Sequence, residues 1–367
     1  MTPSHFWSAS LILACLLALG GCSDSQDGSQ KAGTTEGGEG GDPVSANIEP
    51  VTWRFALEEI EGSVQDVYAQ EFKRQIEDLS DEHITIEIYP YGSLGTSPQL
   101  TELLQDGSID LAFASPGHLA SVIPEVGIFS LHFVLSDNNN VNKSVLSSRR
   151  VQDLFAKPYA DQNLKLLAIV PEGWMAWTGN KPLRAPQDFI GFRMRTMVSP
   201  IATESYRAYG ATPSPMPYSE VYNGLQLRQI DGQVNPIFAI EEMDFYEVQE
   251  VMTLANHAQF VSTLVTNRQW YQTLTAPQRQ WLDKARDNLT DFIYAKQAEF
   301  NSERLDTITE NSDMQIIRLT REEREAFLEA SLGVRDFYVK RTGPRGQQIL
   351  TTITTMIDAA EAQHSGD

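Results

Sequence analysis

The run VTWRFAL from residue 51 is apolar and rich in strand formers, which predicts an opening strand. Val64, Val67, Tyr68, Phe72, Ile76 and Leu79 then recur at three- and four-residue steps, the spacing of one buried helix face. Ile84, Ile86 and Ile88 alternate with polar residues and predict a second strand, closed by Pro90 and a loop holding Gly92 and Gly95. Ser97 is expected to cap a helix that begins at Pro98 and buries Leu100, Leu103 and Leu104. IDLAFA, LKLLAIV at 164–170 and FRMRTM read as further strands, with helices around Ala202 to Tyr206 and from near Ser219. Strands alternating with helices predict β-α-β units, a mostly parallel sheet and an α/β fold of two lobes. Beyond residue 240 strand signals fade. Thr275 with Gln278 predicts a capped helix running to about Thr309, with Trp281, Leu282, Ala285, Leu289, Phe292 and Ile293 at the helical period; Thr320 with Glu323 predicts another.

Composition narrows the function. The 28 Lys and Arg against 49 Asp and Glu give a net charge of −21, which excludes a nucleic-acid binder held by phosphate neutralisation. With 367 residues the chain is long enough for more than one core.

The apolar run LILACLLAL at 11–19 is too short to span a bilayer and fits a secretory signal, although the leader MTPSHFWSAS lacks Lys and Arg. Leu19-Gly20-Gly21-Cys22 resembles a bacterial lipobox. It implies a lipoprotein signal peptide over 1–21, a lipidated Cys22 that anchors the mature chain to membrane lipid, and a periplasmic location. Ser23 favours the outer membrane. Residues 22–49 have almost no large apolar side chains and are expected to form a flexible tether. The only other cysteine, Cys15, lies in the leader, so neither a disulfide nor a Cys/His metal cluster is expected.

The chain has no GxSxG, HExxH, GxxxxGK[ST] or strand-linked GxGxxG. No enzyme, catalytic residue, cofactor or metal is expected, which leaves binding.

The motifs GFRMRT and YRAYGATPSPMPYSEVYNGLQLRQIDGQVNPIF stand out, together with IYPYGSLG at 88–95, LLQDGSIDLAFAS at 103–115 and YEVQE at 246–250. In these, roughly residues 51–345 resemble the substrate-binding proteins of tripartite ATP-independent periplasmic (TRAP) transporters. The resemblance implies a two-lobed periplasmic binding-protein fold with a ligand cleft between lobes and long C-terminal helices. The expected division is 50–148 plus about 240–275 for one lobe, 149–239 plus about 276–345 for the other, then a C-terminal helix and tail at 346–367. It also implies that Arg195 anchors a ligand carboxylate, that Asn235 of the DGxxNP match makes a second contact, and that membrane permease subunits coupled to sodium are the partner. A planar guanidinium suits this independently, because its parallel donors match both carboxylate oxygens.

WRFALEEIEGSVQD, PEGWMAWT and the stretch from MRTMVSP to NGLQ further resemble the ectoine- and hydroxyectoine-binding branch of that family. There Glu59 matches the glutamate that meets the ligand's cation, with Glu58 the alternative in register. The aromatic positions of that branch match His118, Tyr218 and Ala239, with Phe238 a neighbour able to replace the missing ring. Trp174 and Trp177 are read as cleft wall or core. GWMAW lacks the second arginine of dicarboxylate binders, which favours a monocarboxylate or zwitterion; ectoine or 5-hydroxyectoine leads, with a 2-oxo acid, sugar acid or other monocarboxylate as the alternative.

Overall fold

The computed structural model describes residues 50–364. The expected signal peptide, the tether and Cys22 lie outside the described residues. Among the described residues there are ten strands: β1 Val51–Ala56, β2 Ile84–Tyr89, β3 Leu111–Ala114, β4 Leu164–Gly179, β5 Arg193–Thr196, β6 Thr212–Pro215, β7 Gly232–Pro236, β8 Val251–Leu254, β9 Gln259–Asn267 and β10 Gln315–Arg318. Their order is β2-β1-β3-β9-β4-β7-β5-β6, with β8 also on β4 and β10 on β8.

The sheet is mixed, which corrects the expectation of a mostly parallel one. β1 pairs in parallel with β2 and β3, and β5 with β6 and β7. β9 runs antiparallel to β3 and β4, and β4 antiparallel to β7 and β8. Two long returning strands therefore join two parallel halves. β4 spans both, since Leu164 to Trp174 pair with β9 and Met175 to Gly179 with β7. Its register slips between Pro171 and Gly173. Gly173 has φ +137, and a Cβ there would meet Asn301 Nδ2 at 2.3 Å, so the bulge requires glycine.

β8, β9 and β10 fall where strand signals fade. β9 is buried at every position but Phe260, yet Ser262, Thr263, Thr266 and Asn267 interrupt any apolar alternation. Their polar atoms are satisfied internally: Thr263 Oγ1 donates to the Ala114 carbonyl at 2.6 Å and Thr266 Oγ1 to that of Asp110 at 2.7 Å.

Helix signals were more local and fared better. The helix Val64–Leu79 starts at Ser63, whose Oγ accepts the Asp66 N–H at 3.2 Å, and buries Tyr68, Phe72 and Ile76. The helix Ala276–Asn311 carries the Thr275/Gln278 capping box, and Arg321–Ser331 that of Thr320/Glu323. At Ser97–Asp106 the cap is Thr96 rather than Ser97, because Gln99 reaches back to accept the Thr96 N–H at 2.8 Å. The last helix runs Gly333–His364, bent at Gly343, and buries Ile349, Ile353 and Ile357. Among the described residues, no helix is long and apolar enough to cross a membrane.

Candidate ligand-binding site

The parallel strands deliver their carboxyl ends to one hollow, the usual ligand position in open α/β sheets. After β1 come Glu58 and Glu59; after β3, Ser115 and His118. β5 carries Arg195 with Met197 beyond it, and β7 ends in Asn235 and Pro236. These residues, with Gln65, Ser97, Tyr218, Ala239 and Phe260, line a cavity of about 430 Å³.

Arg195 is 1% exposed. Its Nε and Nη2 both donate to the Met216 carbonyl, at 3.1 and 2.9 Å, while Nη1 has no partner. Burial pushes its pKa down to about 10, which still leaves it charged at neutral pH. The other strand arginines are arranged differently. Arg54 meets Asp110 through its backbone N–H, Nε and Nη2, and Arg193 meets Asp231 through the same three groups. Those pairs clamp neighbouring parallel strands in each half. Arg195 instead keeps a donor for a group the protein does not supply.

Asn235 is 5% exposed, and its Nδ2 donates to Gln233 Oε1 at 2.5 Å, while Gln233 Nε2 donates to Thr178 Oγ1 at 3.1 Å. This chain fixes the amide from β4. The preceding Asp-Gly is a packing requirement, since a Cβ on Gly232 would lie 2.0 Å from the Thr178 carbonyl oxygen. Tyr218 donates its hydroxyl to the Ala239 carbonyl at 3.2 Å and meets Tyr91 edge-on with ring centroids 6.2 Å apart.

The opposite wall is acidic. Glu58 and Glu59 are 7% and 6% exposed, so both members of the ambiguous pair face inward. The Ser115 N–H donates to Glu58 Oε2 at 2.6 Å, and Gln65 Oε1 accepts the Glu58 N–H at 2.8 Å. Burial raises Glu58 to about 7. Glu59 lies well above the ordinary carboxylate range, through burial and then the charge of Glu172. Burial pushes His118 down to about 4, with Arg195 adding to the effect, and its Nδ1 has no partner. It faces the cavity as a neutral ring.

Of the residues read from sequence, Arg195, Asn235, Glu59, Tyr218 and His118 come together here, and Trp174 and Phe238 do not. Phe238 is 0% exposed, in the same core cluster as Trp53 and Leu282; its neighbour Ala239 takes the wall position, because successive side chains of this short helix point apart. Trp174, on β4, pairs with Gln259 on β9 and does not line the hollow. Trp177 is core, its Nε1 donating to Tyr206 Oη at 3.0 Å. The aromatic wall missed from sequence is Phe260, on a strand that gave no signal. A second hollow of about 460 Å³ lies beyond Met197 and Phe260, but its titratable lining residues His132 and His257 are kept neutral by burial and offer no free charge. Among the described residues no cluster of His, Cys, Asp and Glu fits a metal ion.

Residues 55–341 match the family described as bacterial extracellular solute-binding protein, family 7. The chain is 37% identical over 316 residues to the ectoine-binding periplasmic protein TeaA of Halomonas elongata, covering 86% of this chain and 92% of that one. It is 38% identical over 301 residues to the ectoine/5-hydroxyectoine-binding periplasmic protein UehA of Ruegeria pomeroyi, covering 82% and 88%. Its fold matches the solved structure of the Halomonas protein with a TM-score of 0.81, over 84% of this chain and 99% of that one. It matches the apo open structure of a TRAP periplasmic solute-binding protein from Marinobacter aquaeolei with a TM-score of 0.80 at 48% identity, over 83% and 99%. A buried guanidinium with one nitrogen left unpartnered, at the strand ends of a two-lobed mixed α/β fold, is thus found in a chain that belongs to family 7 of the bacterial extracellular solute-binding proteins, the periplasmic receptors of TRAP transporters.

Proposed function

We propose that this receptor captures a small zwitterion, ectoine or 5-hydroxyectoine, with the carboxylate on Arg195 and the delocalised cation against Glu58 and Glu59. One observation carries the reading: Arg195, 1% exposed, keeps Nη1 unpartnered in a cavity whose other wall holds two buried glutamates. Ligand charges leaving water need matched partners, and a second carboxylate would meet the acid wall at a cost of about 2–5 kcal/mol. Asn235 supplies a polar contact, and Tyr218 and Phe260 flank the ring. Names of the relatives in Halomonas and Ruegeria agree with this ligand class.

The ligand bridges groups from both halves of the sheet and so favours a closed form, provided that form binds it more tightly. The closed receptor then docks on a sodium-coupled TRAP permease. Acylation of Cys22 keeps it on a membrane, with the outer membrane favoured; a Cys22→Ala chain released into the soluble periplasm supports this, and one still membrane-bound refutes it.

A thermal-shift screen against ectoine, 5-hydroxyectoine, betaine, succinate, sugar acids and 2-oxo acids tests the ligand. The ectoines are expected to raise the midpoint most. A shift with succinate or a sugar acid and none with the ectoines overturns the zwitterion reading.

A further inference from the structure

The acid wall continues behind the cavity surface. Glu172, from β4, is 0% exposed; its Oε1 accepts from Gln65 Nε2 at 3.1 Å, while Oε2 accepts no hydrogen bond. The Gln65 backbone N–H donates to Glu59 Oε2 at 3.2 Å, so one residue holds both carboxyls, and the charge of Glu172 acts on Glu59. Two buried carboxyls held by one residue do not both stay ionised, because like charges sharing a site push one of them toward its protonated form. Glu58 from the same loop adds its charge to Glu172, and Glu242 from the helix Ile237–Glu242 feels the charge of Glu59.

Few cations face this group. Arg195 lies across the cavity, and Arg304 is paired with Glu241 at 3.2 Å while acting on Glu242. His118 is neutral, and the remaining neighbours Ser97, Ser115, Ser262, Gln65 and Tyr218 carry no charge at neutral pH. Buried carboxyls without a counter-cation take up protons, and burial holds Glu58 at about 7 and Glu242 at about 9.

We propose that Glu172 makes the acid wall a proton-exchanging cation site, in which the empty receptor keeps a proton between Glu59 and Glu172 and the ligand's cationic group replaces it on binding. This rests on the reading of the ligand as a zwitterion. The carboxyl O–H bond breaks, its electron pair stays on the oxygen, and the proton passes to the bulk buffer. The ligand's cation takes over neutralisation of the carboxylate, so the wall never holds a bare buried anion. Glu172 acts through Glu59 and is a positioning residue. A ligand without a cation cannot drive the exchange, which adds selectivity against simple acids. Release of one proton makes affinity rise about tenfold per pH unit while the empty pair is protonated, and level off above that range.

The test is calorimetric titration of the chain with ectoine at neutral pH in phosphate and in Tris, whose protonation enthalpies differ, together with infrared spectra of the protonated-carboxyl stretch. The wild type is expected to release about one proton per ectoine bound, and its carboxyl band to fall on binding. Glu172→Gln is expected to keep binding, to release far less than one proton and to lose most of the pH dependence. Ectoine binding without proton release, or a ligand-free wild type with no protonated-carboxyl band, overturns the proposal and leaves the zwitterion reading standing; neither depends on the variant folding. Full proton release persisting in Glu172→Gln overturns the role of Glu172. Absence of any ectoine heat overturns the zwitterion reading itself, and the exchange with it.

Discussion

The arginine wall and the acid wall close the same hollow, yet they hold charge in different ways. Arg195 stays ionised although buried, because a guanidinium gives up its proton so reluctantly that burial brings it only to about 10. One carbonyl, of Met216, fixes two of its nitrogens and leaves the third open. The glutamates start near the bottom of the scale, and the same burial pushes Glu58 up to about 7 and Glu59 well above the ordinary carboxylate range. One wall is therefore a permanent charge and the other a titrating one. A zwitterion needs both, whereas a simple acid needs only the first.

The comparison breaks most severely at Arg195. Arg195→Lys is expected to weaken ectoine binding by about 3 kcal/mol, since an ammonium cannot reproduce the flat donor pair, with the melting temperature little changed. The matching control is Arg193→Lys, two residues away, which is expected to lower stability by about 1 kcal/mol through loss of the Asp231 clamp and to leave affinity intact. Calorimetry and thermal melts separate the two.

Glu59→Gln sharpens the contrast between ligands. It is expected to cost about 2 kcal/mol for ectoine, a charge-assisted contact, and far less for a plain monocarboxylate. Equal losses for both would remove the acid wall from cation recognition.

The titrating wall also sets the sign of a stability effect. Glu58 binds its proton more tightly when folded, at about 7 against 4.5, so the folded chain carries more protons between those values. Stability of the ligand-free receptor is expected to fall as pH rises from about 4.5 through about 7, by about 1–3 kcal/mol, and ectoine to offset that fall. Smaller again is Tyr218→Phe, which removes the hydroxyl bonded to the Ala239 carbonyl and is expected to cost about 1 kcal/mol of affinity.

How much of this was legible depends on whether the cause was local. The capping boxes at Thr275/Gln278 and Thr320/Glu323 lie within four residues and could be read directly. β9 could not, because its Ser and Thr hydroxyls find partners on β3 and its flank that only the folded chain supplies. Arg193 and Arg195 look alike on FRMRT. What separates them is Asp231, 38 residues on, and the family motif rather than any periodicity picked out Arg195. Glu58 and Glu59 could not be told apart by register, and both are buried because the β1 end turns them under Gln65 and Ser115. Phe238 failed for the opposite reason: adjacency in sequence does not fix direction on a helix, and the cavity received Ala239 instead.

The account is tested most directly by a crystal structure of the receptor with ectoine bound. It predicts a ligand carboxylate oxygen within hydrogen-bonding distance of Arg195 Nη1 and the amidinium facing Glu59. A ligand bound in the reverse sense, or one whose carboxylate makes no contact with Arg195, would contradict it.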